Sequence, residues 1–428
     1  MVVMSENSSD ILYPSYAIEE SHPGHLGGRA WCVGLETMDP STALILEIGC
    51  ASGGNVLPLA SEFPEATIIA CDPSAQEIAL ARARATEAQL TNIEFHHCGV
   101  AELPQALGPF DYIICHGIYS WVPDQVREDI GATLRSRLSK NGLAFVSYNC
   151  LPGFHIRGMW REMIAEHCKG IDDPTMLVPK AIEALQLVLA GASGANPAYA
   201  HLLEEELMIL QDAGPGYVLQ EHFAPDNKSF YIHEFLQEME AKGLFYVGDG
   251  DPTSDTLSNL NPEVARRLRD ISAIDRLKYR DYMTGCTFRM SILSREKSTK
   301  IRADFEKLHA GIRHRQVLEH FDTLTDDTAK ALLDAALRHW PNTLHVPRLI
   351  EAAELQNISP DTIANTLVDL QNSGFLRLRT TPVEATMSPS DTKTLSRFTE
   401  LEATWGPTIT NPWHDSIPFD ESAEADAN

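Results

Sequence analysis

The fold is decided by Ala43-Leu-Ile-Leu-Glu-Ile-Gly-Cys-Ala-Ser-Gly-Gly-Asn55. The first six residues, ending at Ile48, form a short apolar run that predicts a buried strand. A glycine-rich turn follows, and the sequence from about Asn55 to Phe63 predicts a helix. Glycines in such a turn let the backbone approach a ligand closely, and the free N–H groups of a helix N-terminus suit a carboxylate or a phosphate. The stretch therefore predicts a strand–turn–helix unit that binds a nucleotide-like ligand.

The same alternation of apolar strand and helix continues downstream. Near-continuous apolar strands between helices indicate a parallel sheet covered on both faces, so we predict an α/β, Rossmann-like domain. The predicted strands are Ala43–Ile48, Ala66–Cys71, Ile93–Cys98, Phe110–Cys115 and Leu143–Tyr148. Ligands of such sheets bind beyond the carboxyl ends of the strands. Those ends carry Gly49, Asp72, Gly99, His116 and Asn149.

Two acidic side chains flank the turn: Glu47 precedes it, and Asp72 ends the second strand. A carboxylate in the position of Asp72 can accept both hydroxyls of a ribose. A nicotinamide site is the first alternative, but its GxGxxG pattern fails because Ala51 replaces the middle glycine; a turn without a ligand is the second. The combination of both acids with five alternating strands favours S-adenosyl-L-methionine (SAM). We expect the cofactor to contact Glu47, Gly49, Cys50, Ala51, Gly53, Asn55, Asp72, Pro73, Val100, Ala101 and His116.

After about residue 150 the pattern becomes mostly helical. Helices are predicted at 156–167, 179–190, 199–213, 229–243 and 262–283, with a Gly/Ser/Asn loop at 191–197 and a strand at 244–247. Three helices (325–339, 347–355, 359–372) and a strand (375–379) then follow in the order of a winged-helix module, before an acidic tail that we expect to be partly disordered. We divide the chain into an N-terminal segment covering the cofactor site (1–42, with Tyr16 and His22), a SAM-binding domain with a helical extension (43–214), a mostly helical middle domain (215–297), a winged-helix-like domain (298–385) and the tail (386–428).

Composition restricts the partners. The formal net charge is −26, which argues against nucleic acid because its binders neutralise phosphates with Lys and Arg. The predicted winged helix carries several acids on its helices, so we favour protein docking or a homodimer for it. No apolar run approaches the roughly 18 residues of a membrane span, and Met1–Asp10 lacks a signal-peptide pattern. The eight cysteines form no CxxC pair and no zinc module. We therefore expect a cytoplasmic enzyme with no metal, no membrane span and no nucleic-acid partner.

Several stretches together resemble a known family. They are Ser21-His22-Pro23, Leu46–Asn55, Phe110–Pro123, Val146–Met159, Gln220-Glu221-His222, Phe230–Phe235, Thr287-Phe288-Arg289 and Ile409-Thr410-Asn411. The chain resembles the bacterial SAM-dependent methyltransferases that carry a methyltransferase regulatory domain, a group that includes the protein-lysine methyltransferases of rickettsial outer-membrane proteins. The resemblance implies SAM as cofactor and lysine side chains of a protein as acceptor. The sequence differs from the usual pattern of the family at three positions. Class I enzymes usually have an adenine-binding Asp where this chain has Gly99, and Thr and Trp are common in the family where this chain has Cys150 and Phe154.

The segment after the fourth strand faces the methyl group in such a fold. Tyr119 and Trp121 in this segment are candidate walls of an amine channel, through cation–π attraction. Tyr148 and Asn149 after the fifth strand also face the cleft and are candidates for lining the acceptor pocket, with capping of the next helix as the alternative for Asn149. We take Tyr119, Trp121 and Tyr148 as candidate catalytic residues; packing in the core is the alternative for Tyr119 and Trp121. His116 is a candidate base, cofactor contact or satisfied half-buried histidine. Two other functions stay open: a small-molecule methyltransferase of a biosynthetic pathway, and a non-catalytic SAM-binding regulator, which Gly99 favours.

Overall fold

The computed structural model of the chain describes residues 14–257, 260–300, 304–314, 321, 324–384 and 397–418. Its centre is a seven-stranded mixed sheet. The strands are β1 (Leu44–Ile48), β2 (Thr67–Asp72), β3 (Ile93–His97), β4 (Phe110–Cys115), β5 (Leu138–Asn149), β6 (Phe245–Asp249) and β7 (Phe288–Ser294). They lie in the order β3-β2-β1-β4-β5-β7-β6. The first five strands are parallel, as the sequence predicts, and β7 runs antiparallel to both neighbours.

Helices cover both faces of the sheet because successive strand residues point to opposite sides. Ile45 packs in one core with α1 (Pro23–Trp31), α2 (Val56–Glu62) and α3 (Ala75–Glu87). Its neighbour Leu46 packs in a second core with α4 (Asp124–Arg137) and the later helix α9 (Ile232–Ala241). Burial on both faces explains why these strands read as continuous apolar runs.

Between β5 and α9 in the sequence, the chain forms a helical extension with its own apolar core. It contains α5 (Phe154–His167), α6 (Pro174–Ala195), α7 (Pro197–Asp212) and α8 (Pro215–Phe223). The loop predicted at 191–197 is wrong for most of its length, because α6 continues through Gly191 and Gly194 to Ala195. Alanines at 190, 192 and 195 are strong helix formers and offset the helix-breaking cost of the two glycines.

Helix α6 also bears on the expectation of no membrane span. By length and composition alone its 22 residues suffice to cross a membrane, and 28% of its most apolar window is buried. Leu177, Ala181 and Leu185 bury one side of the helix in the core of the extension. A single such helix is weak evidence for a span, because a core helix can pass the same test.

The predicted middle domain shares the central sheet. Strands β6 and β7 both lie within 215–297 and extend the sheet beyond β5, so the predicted boundary at residue 214 does not separate two bodies. The single helix predicted at 262–283 is two helices, α10 (Pro262–Leu268) and α11 (Ala273–Thr284). The break occurs at Ser272, whose side chain caps α11 by accepting from the Asp275 N–H.

The described residues between 304 and 384 form three helices, α12 (Asp327–Leu337), α13 (Val346–Ala352) and α14 (Pro360–Asn372). A three-stranded antiparallel sheet of β8 (His309–Gly311), β9 (Leu344–His345) and β10 (Arg377–Arg379) packs with them in the order β10-β8-β9. The winged-helix assignment stays a prediction. Strand β10 is tightly docked on α1: a Cβ at Gly28 would lie 1.9 Å from the carbonyl oxygen of Leu378.

The tail is more ordered than the sequence suggests. Helix α15 (Arg397–Trp405) leads into a hairpin of β11 (Thr408–Thr410) and β12 (Ser416–Pro418). Trp413, between these strands, is fully buried, and its indole N–H donates to the Pro341 carbonyl at 3.1 Å. Within the tail, residues 397–418 are therefore ordered, and the acidic residues 420–426 lie outside the described residues, so partial disorder of the tail stays a prediction.

Candidate active site

The turn between β1 and α2 is hydrogen-bonded to the end of β2. The N–H groups of Gly49 and Cys50 both donate to the Cys71 carbonyl, at 2.8 and 3.1 Å. Gly49, Ala51 and Gly53 have φ angles of 74, 45 and 87°. Glycine adopts this left-handed region freely, whereas Ala51 adopts it at a cost. The turn therefore holds a fixed, partly strained backbone at the carboxyl end of the sheet.

Asp72 stands where a ribose-binding carboxylate is predicted. Its Oδ2 accepts from the Ala51 N–H at 3.0 Å, and its Oδ1 accepts from the Ser74 N–H at 2.8 Å. Each carboxylate oxygen can accept more than one hydrogen bond, so capacity for two hydroxyls remains. Burial raises the pKa of Asp72, while the two N–H donors act in the opposite direction.

Glu47 is buried at the end of β1 with only one oxygen engaged. Its Oε1 accepts from the Asn55 side-chain amide at 2.9 Å, and its buried Oε2 has no hydrogen-bond partner among the described residues. Burial raises the pKa of Glu47 to about 8. The carboxyl is therefore mainly protonated at neutral pH and has one oxygen free for a ligand.

Asn55 is predicted to contact the cofactor, but its side chain is bonded to other groups of the protein. Its Oδ1 accepts from the Ile18 N–H at 3.0 Å and lies 3.0 Å from His414 Nε2, while its Nδ2 also donates to Ser21 Oγ at 3.1 Å. The side chain thus ties the turn to the N-terminal segment and to the tail hairpin. The Ile409-Thr410-Asn411 match is the sequence signal that could have pointed to this hairpin.

Residues 15–21 lie against the turn. The Gly54 N–H donates to Ser15 Oγ at 2.8 Å, and Tyr16 beside it is exposed. His22 is buried at the start of α1, where its Nδ1 accepts from the Gly24 N–H at 3.0 Å. Tyr16 is thus near the turn, whereas His22 acts as a helix cap.

Open space lies at the ends of β3 and β4, where an adenosine group is expected. Among the described residues, a Cβ on Gly117 would meet nothing within 4 Å, and one on Gly99 would meet only Glu102 Oε2, at 3.8 Å. Glu102 accepts from the Gly99 N–H at 3.0 Å. Val100 is buried and Ala101 is exposed. The free space, the free oxygen of Glu47 and the carboxylate of Asp72 together fit SAM.

Pro73 and His116 border this space differently. The Pro73 carbonyl lies 3.0 Å from His97 Nε2. The half-buried His116 ring has its centroid 6.0 Å from those of both Phe145 and Phe288, and its buried Nδ1 has no partner among the described residues. Burial lowers the pKa of His116 to about 4, so the ring is neutral at pH 7.

The structure does not bring the two candidate tyrosines to the cleft. Tyr119 is fully buried, and its hydroxyl donates to Glu238 Oε1 at 2.9 Å. Tyr148 is buried against Phe235, with ring centroids 4.1 Å apart, and its hydroxyl bonds Ser291 Oγ at 3.1 Å. Trp121 is half-buried under the Arg161 guanidinium, 5.7 Å from the ring centroid. Tyr119 and Tyr148 therefore occupy the positions of packing aromatics.

Two further side chains lie at the end of the sheet: Asn149, which the sequence places at a ligand-binding strand end, and Phe288, which it does not single out. Asn149, at the end of β5, donates its backbone N–H to Ser120 Oγ at 2.8 Å, while its buried Nδ2 has no partner among the described residues. Phe288 pairs with Asn149 across β5 and β7 and is exposed. A strand end carrying a free amide donor suits the binding of a methyl acceptor.

A wide cavity lined by described residues lies elsewhere in the molecule. It measures about 1460 Å³ and lies near the amino ends of β4 and β5, between the sheet, α1, β8 and the tail. Asp111, Asn141, His309 and Ile409 are among its walls. This is the edge of the sheet opposite to the turn, so this cavity does not mark the cofactor site.

One histidine cluster has the spacing of metal ligands: His22, Glu62 and His414. Its hydrogen bonding argues against an ion. His22 Nδ1 accepts from Gly24 and faces an Arg379 nitrogen at 2.8 Å, so the proton lies on Nε2, which donates to Glu62 at 3.1 Å. His22 Nε2, the nitrogen that would face a metal ion, is therefore a hydrogen-bond donor, and the Arg379 guanidinium lies beside it.

Comparisons with known proteins agree with this geometry. A family model described as a methyltransferase domain matches residues 45–142, and one described as a predicted methyltransferase regulatory domain matches residues 214–295. The uncharacterized protein RP028 of Rickettsia prowazekii is 30% identical over 54% of this chain and 93% of its own length. RP789 of the same organism is 33% identical over 66% of this chain, which spans about half (52%) of RP789. The structure of PKMT2 from Rickettsia typhi in complex with AdoHcy superposes with a TM-score of 0.80 at 25% identity, over 95% of this chain and 86% of that chain.

The fold, the turn and these relatives define the class: the protein is a SAM-dependent methyltransferase of class I. Within that class the chain belongs to the family that carries the predicted methyltransferase regulatory domain. The match to that domain includes β6 and β7, so in this chain the regulatory region completes the catalytic sheet.

Proposed function

We propose that this methyltransferase transfers a methyl group from SAM to lysine side chains of a protein substrate in the cytoplasm. The observation that carries the proposal is the likeness to PKMT2, a protein-lysine methyltransferase, along 95% of the chain. A likeness of that extent includes the regions beyond the cofactor domain, where acceptor specificity is expected to lie.

We take the exposed aromatic side chains at the start of β7 and on α11 as the rim of the acceptor cleft. Phe288, Tyr279 and Tyr282 expose large aromatic surfaces, and the Tyr231 ring lies 6.0 Å from that of Tyr282. Aromatic faces attract ammonium groups, and the net charge of −26 favours basic partners by long-range attraction. A lysine-bearing segment is therefore a better match to this rim than an acidic metabolite.

For methyl transfer to lysine, the protein must position the amine and exclude water from the cleft. SAM supplies an activated methyl group when bound, and the lysine must arrive as the neutral amine. His116, with a pKa near 4, is too weak a base to take a proton from an ammonium group. We assign to it a positioning role, and we expect desolvation in the cleft to favour the neutral amine. The unpartnered Asn149 amide is available to hold the acceptor.

The experiment is transfer of labelled methyl from SAM into a bacterial lysate, followed by separation by mass and hydrolysis. Label recovered as methyl-lysine supports the proposal. Asp72→Ala is the control, checked for folding by circular dichroism, because it removes the expected ribose contact. Label found only in small molecules would overturn it in favour of a metabolite acceptor, and SAM binding without any transfer would favour a regulator. The winged helix and a homodimer stay predictions.

A further inference from the structure

Two cysteines from separate segments meet beside the acceptor side of the cleft. Cys150 follows β5, and Cys286 lies between α11 and β7. Their sulfur atoms, together with a carboxylate oxygen of Asp281, all lie within 4.8 Å of one another. The backbone holds the pair in place: the Cys150 N–H donates to the Thr287 carbonyl at 2.8 Å, and the Gly153 N–H to the Cys286 carbonyl at 2.9 Å.

The two thiols differ in access and in acidity. Cys150 is buried, whereas Cys286 is half-buried and is therefore the one that a small reagent reaches. A hydrogen bond from the Cys150 thiol lowers the pKa of Cys286, and the Arg289 charge acts in the same direction. The pKa of Cys150 is raised by the same hydrogen bond and by burial. Thiolate is the reactive form, so Cys286 is the nucleophile of the pair.

A metal site is a poorer use of this cluster. Asp281 is already engaged by Arg289, whose Nε and Nη2 donate to the two carboxylate oxygens at 3.1 and 2.5 Å. Arg289 is fully buried, so a divalent cation would lie beside its charge. Structural zinc sites have four ligands, whereas this cluster offers two thiols and one carboxylate that is already occupied.

We propose that Cys286 and Cys150 form a peroxide-sensitive pair that closes to a disulfide. The Cys286 thiolate attacks one oxygen of the peroxide; the O–O bond breaks, and the leaving hydroxide takes up a proton to become water. The resulting sulfenic acid is attacked by the Cys150 sulfur. The S–S bond forms as the S–O bond breaks, and the leaving hydroxide takes the Cys150 proton. Overall, two thiols and one hydrogen peroxide give one disulfide and two waters.

The cross-link ties together the two strand ends that frame the acceptor. Asn149 directly precedes Cys150, and Phe288 lies two residues after Cys286. Asn149 and Phe288 pair across β5 and β7. The Phe288 ring centroid is 6.0 Å from that of His116. Glu47 and Asp72 belong to β1 and β2, at the other side of the cleft. We therefore expect oxidation to suppress methyl transfer to the acceptor and to leave SAM binding unchanged. The effect on transfer rests on the proposed function, whereas the cross-link does not.

The test uses the full-length protein, reduced and then treated with graded hydrogen peroxide. Free thiols are alkylated, and the peptides are analysed by mass spectrometry. We expect a Cys150–Cys286 cross-linked peptide that lacks two hydrogen atoms and disappears after treatment with dithiothreitol. Cys98 is the other half-buried cysteine, so Cys98→Ser is the matched control and keeps the cross-link. Cys150→Ser removes the cross-link and leaves oxidised Cys286.

Either of two results would contradict the proposal that Cys150 and Cys286 form a peroxide-sensitive pair. One is alkylation of Cys286 no faster than that of Cys98 in the reduced protein; the other is conversion of Cys286 to a sulfinic acid in the parent protein without a cross-link. Calorimetry with SAM and labelled transfer are run on the cross-linked protein. Undiminished transfer by that protein would refute the inhibitory effect. If the reduced protein labels no lysine, the proposed function fails while the thiol measurements still decide the cross-link.

Discussion

At Glu47 the chain buries a carboxyl group and gives a partner to only one of its two oxygens. Burying an ionised carboxylate is costly, so the group holds its proton instead. SAM carries a sulfonium and an ammonium charge against one carboxylate and is cationic overall. A cation beside Glu47 lowers its pKa and favours ionisation. The cofactor loop is therefore expected to couple ligand binding to the loss of a proton.

We predict that SAM binding releases a proton from Glu47. With a pKa of about 8 in the free protein, the affinity for SAM should rise as the pH increases toward about 8, by at most about tenfold per pH unit. Titration calorimetry in two buffers of different ionisation enthalpy measures the release. Glu47→Gln keeps an acceptor for Asn55 but has no proton to lose, so the release should vanish. Release that persists in this variant would assign the proton to another group.

Tyr119 and Tyr148 are expected to matter for stability and not for catalysis. Tyr148→Phe leaves the fully buried Ser291 hydroxyl unpaired and should cost about 1–3 kcal/mol of unfolding free energy. Tyr119→Phe frees the half-buried Glu238, which water can solvate, and should cost about 0.5–1.5 kcal/mol. Urea denaturation and labelled methyl transfer measure the two effects. If either variant lost methyl transfer by about tenfold at unchanged stability, that tyrosine would have a catalytic role after all.

At the scale of elements, the N-terminal segment and the cofactor turn fit closely. A Cβ on Gly54 would lie 2.1 Å from the Ser15 carbonyl oxygen. Gly54→Ala should therefore displace the segment from the turn and weaken SAM binding by about tenfold or more, since about 1.4 kcal/mol corresponds to a factor of ten. Gly191→Ala in α6 is the matched control, because its Cβ meets nothing within 4 Å among the described residues and lies outside the cofactor site. Calorimetry on both variants decides; equal affinities would mean that the segment does not support the turn.

The elements also show what the sequence can predict. Strands β1 to β5 follow from local patterns, because each is a short apolar run followed by a turn or a helix. Strands β6 and β7 return to the sheet after a long helical excursion, and no local pattern specifies that pairing. Tyr119 and Tyr148 were expected in the cleft because they lie near strand ends. Which way an aromatic ring points depends on α9, which is distant in sequence and supplies Phe235 and Glu238.

At the scale of the whole molecule, half-buried ion pairs join the N-terminal segment to the tail hairpin. Arg313 donates to Glu19 Oε2 at 3.0 Å and to Glu20 Oε1 at 2.7 Å, and it also bonds Asp415 in the tail hairpin. The N-terminal segment, the residues after β8 and the tail are thus held together next to the cofactor turn. Removing one partner of such a network leaves an uncompensated charge, which costs more than the pair contributes. The assembly of these three segments is therefore expected to be cooperative.

Three histidines make this assembly sensitive to acid. His22, His25 and His414 are buried, and burial lowers their pKa well below the ordinary 6.5. The unfolded chain binds protons near pH 6.5 that the folded chain excludes, so their contribution to stability is present above pH 6.5 and is lost as the pH falls below it. Buried carboxyls with raised pKa values act in the opposite direction as the pH falls: Glu47, Glu221, Asp249 and Glu402.

Because the two effects oppose each other, the prediction concerns a difference between two proteins. His414→Gln keeps an N–H donor for Asn55 but has no proton to gain. Its unfolding free energy relative to the parent should improve by up to about 1.4 kcal/mol for each pH unit below 6.5, as measured by urea denaturation between about pH 8 and about pH 5. The exposed His155 is the control, and His155→Gln should track the parent. A constant difference between His414→Gln and the parent over this range would show that His414 keeps its ordinary affinity for protons in the folded chain.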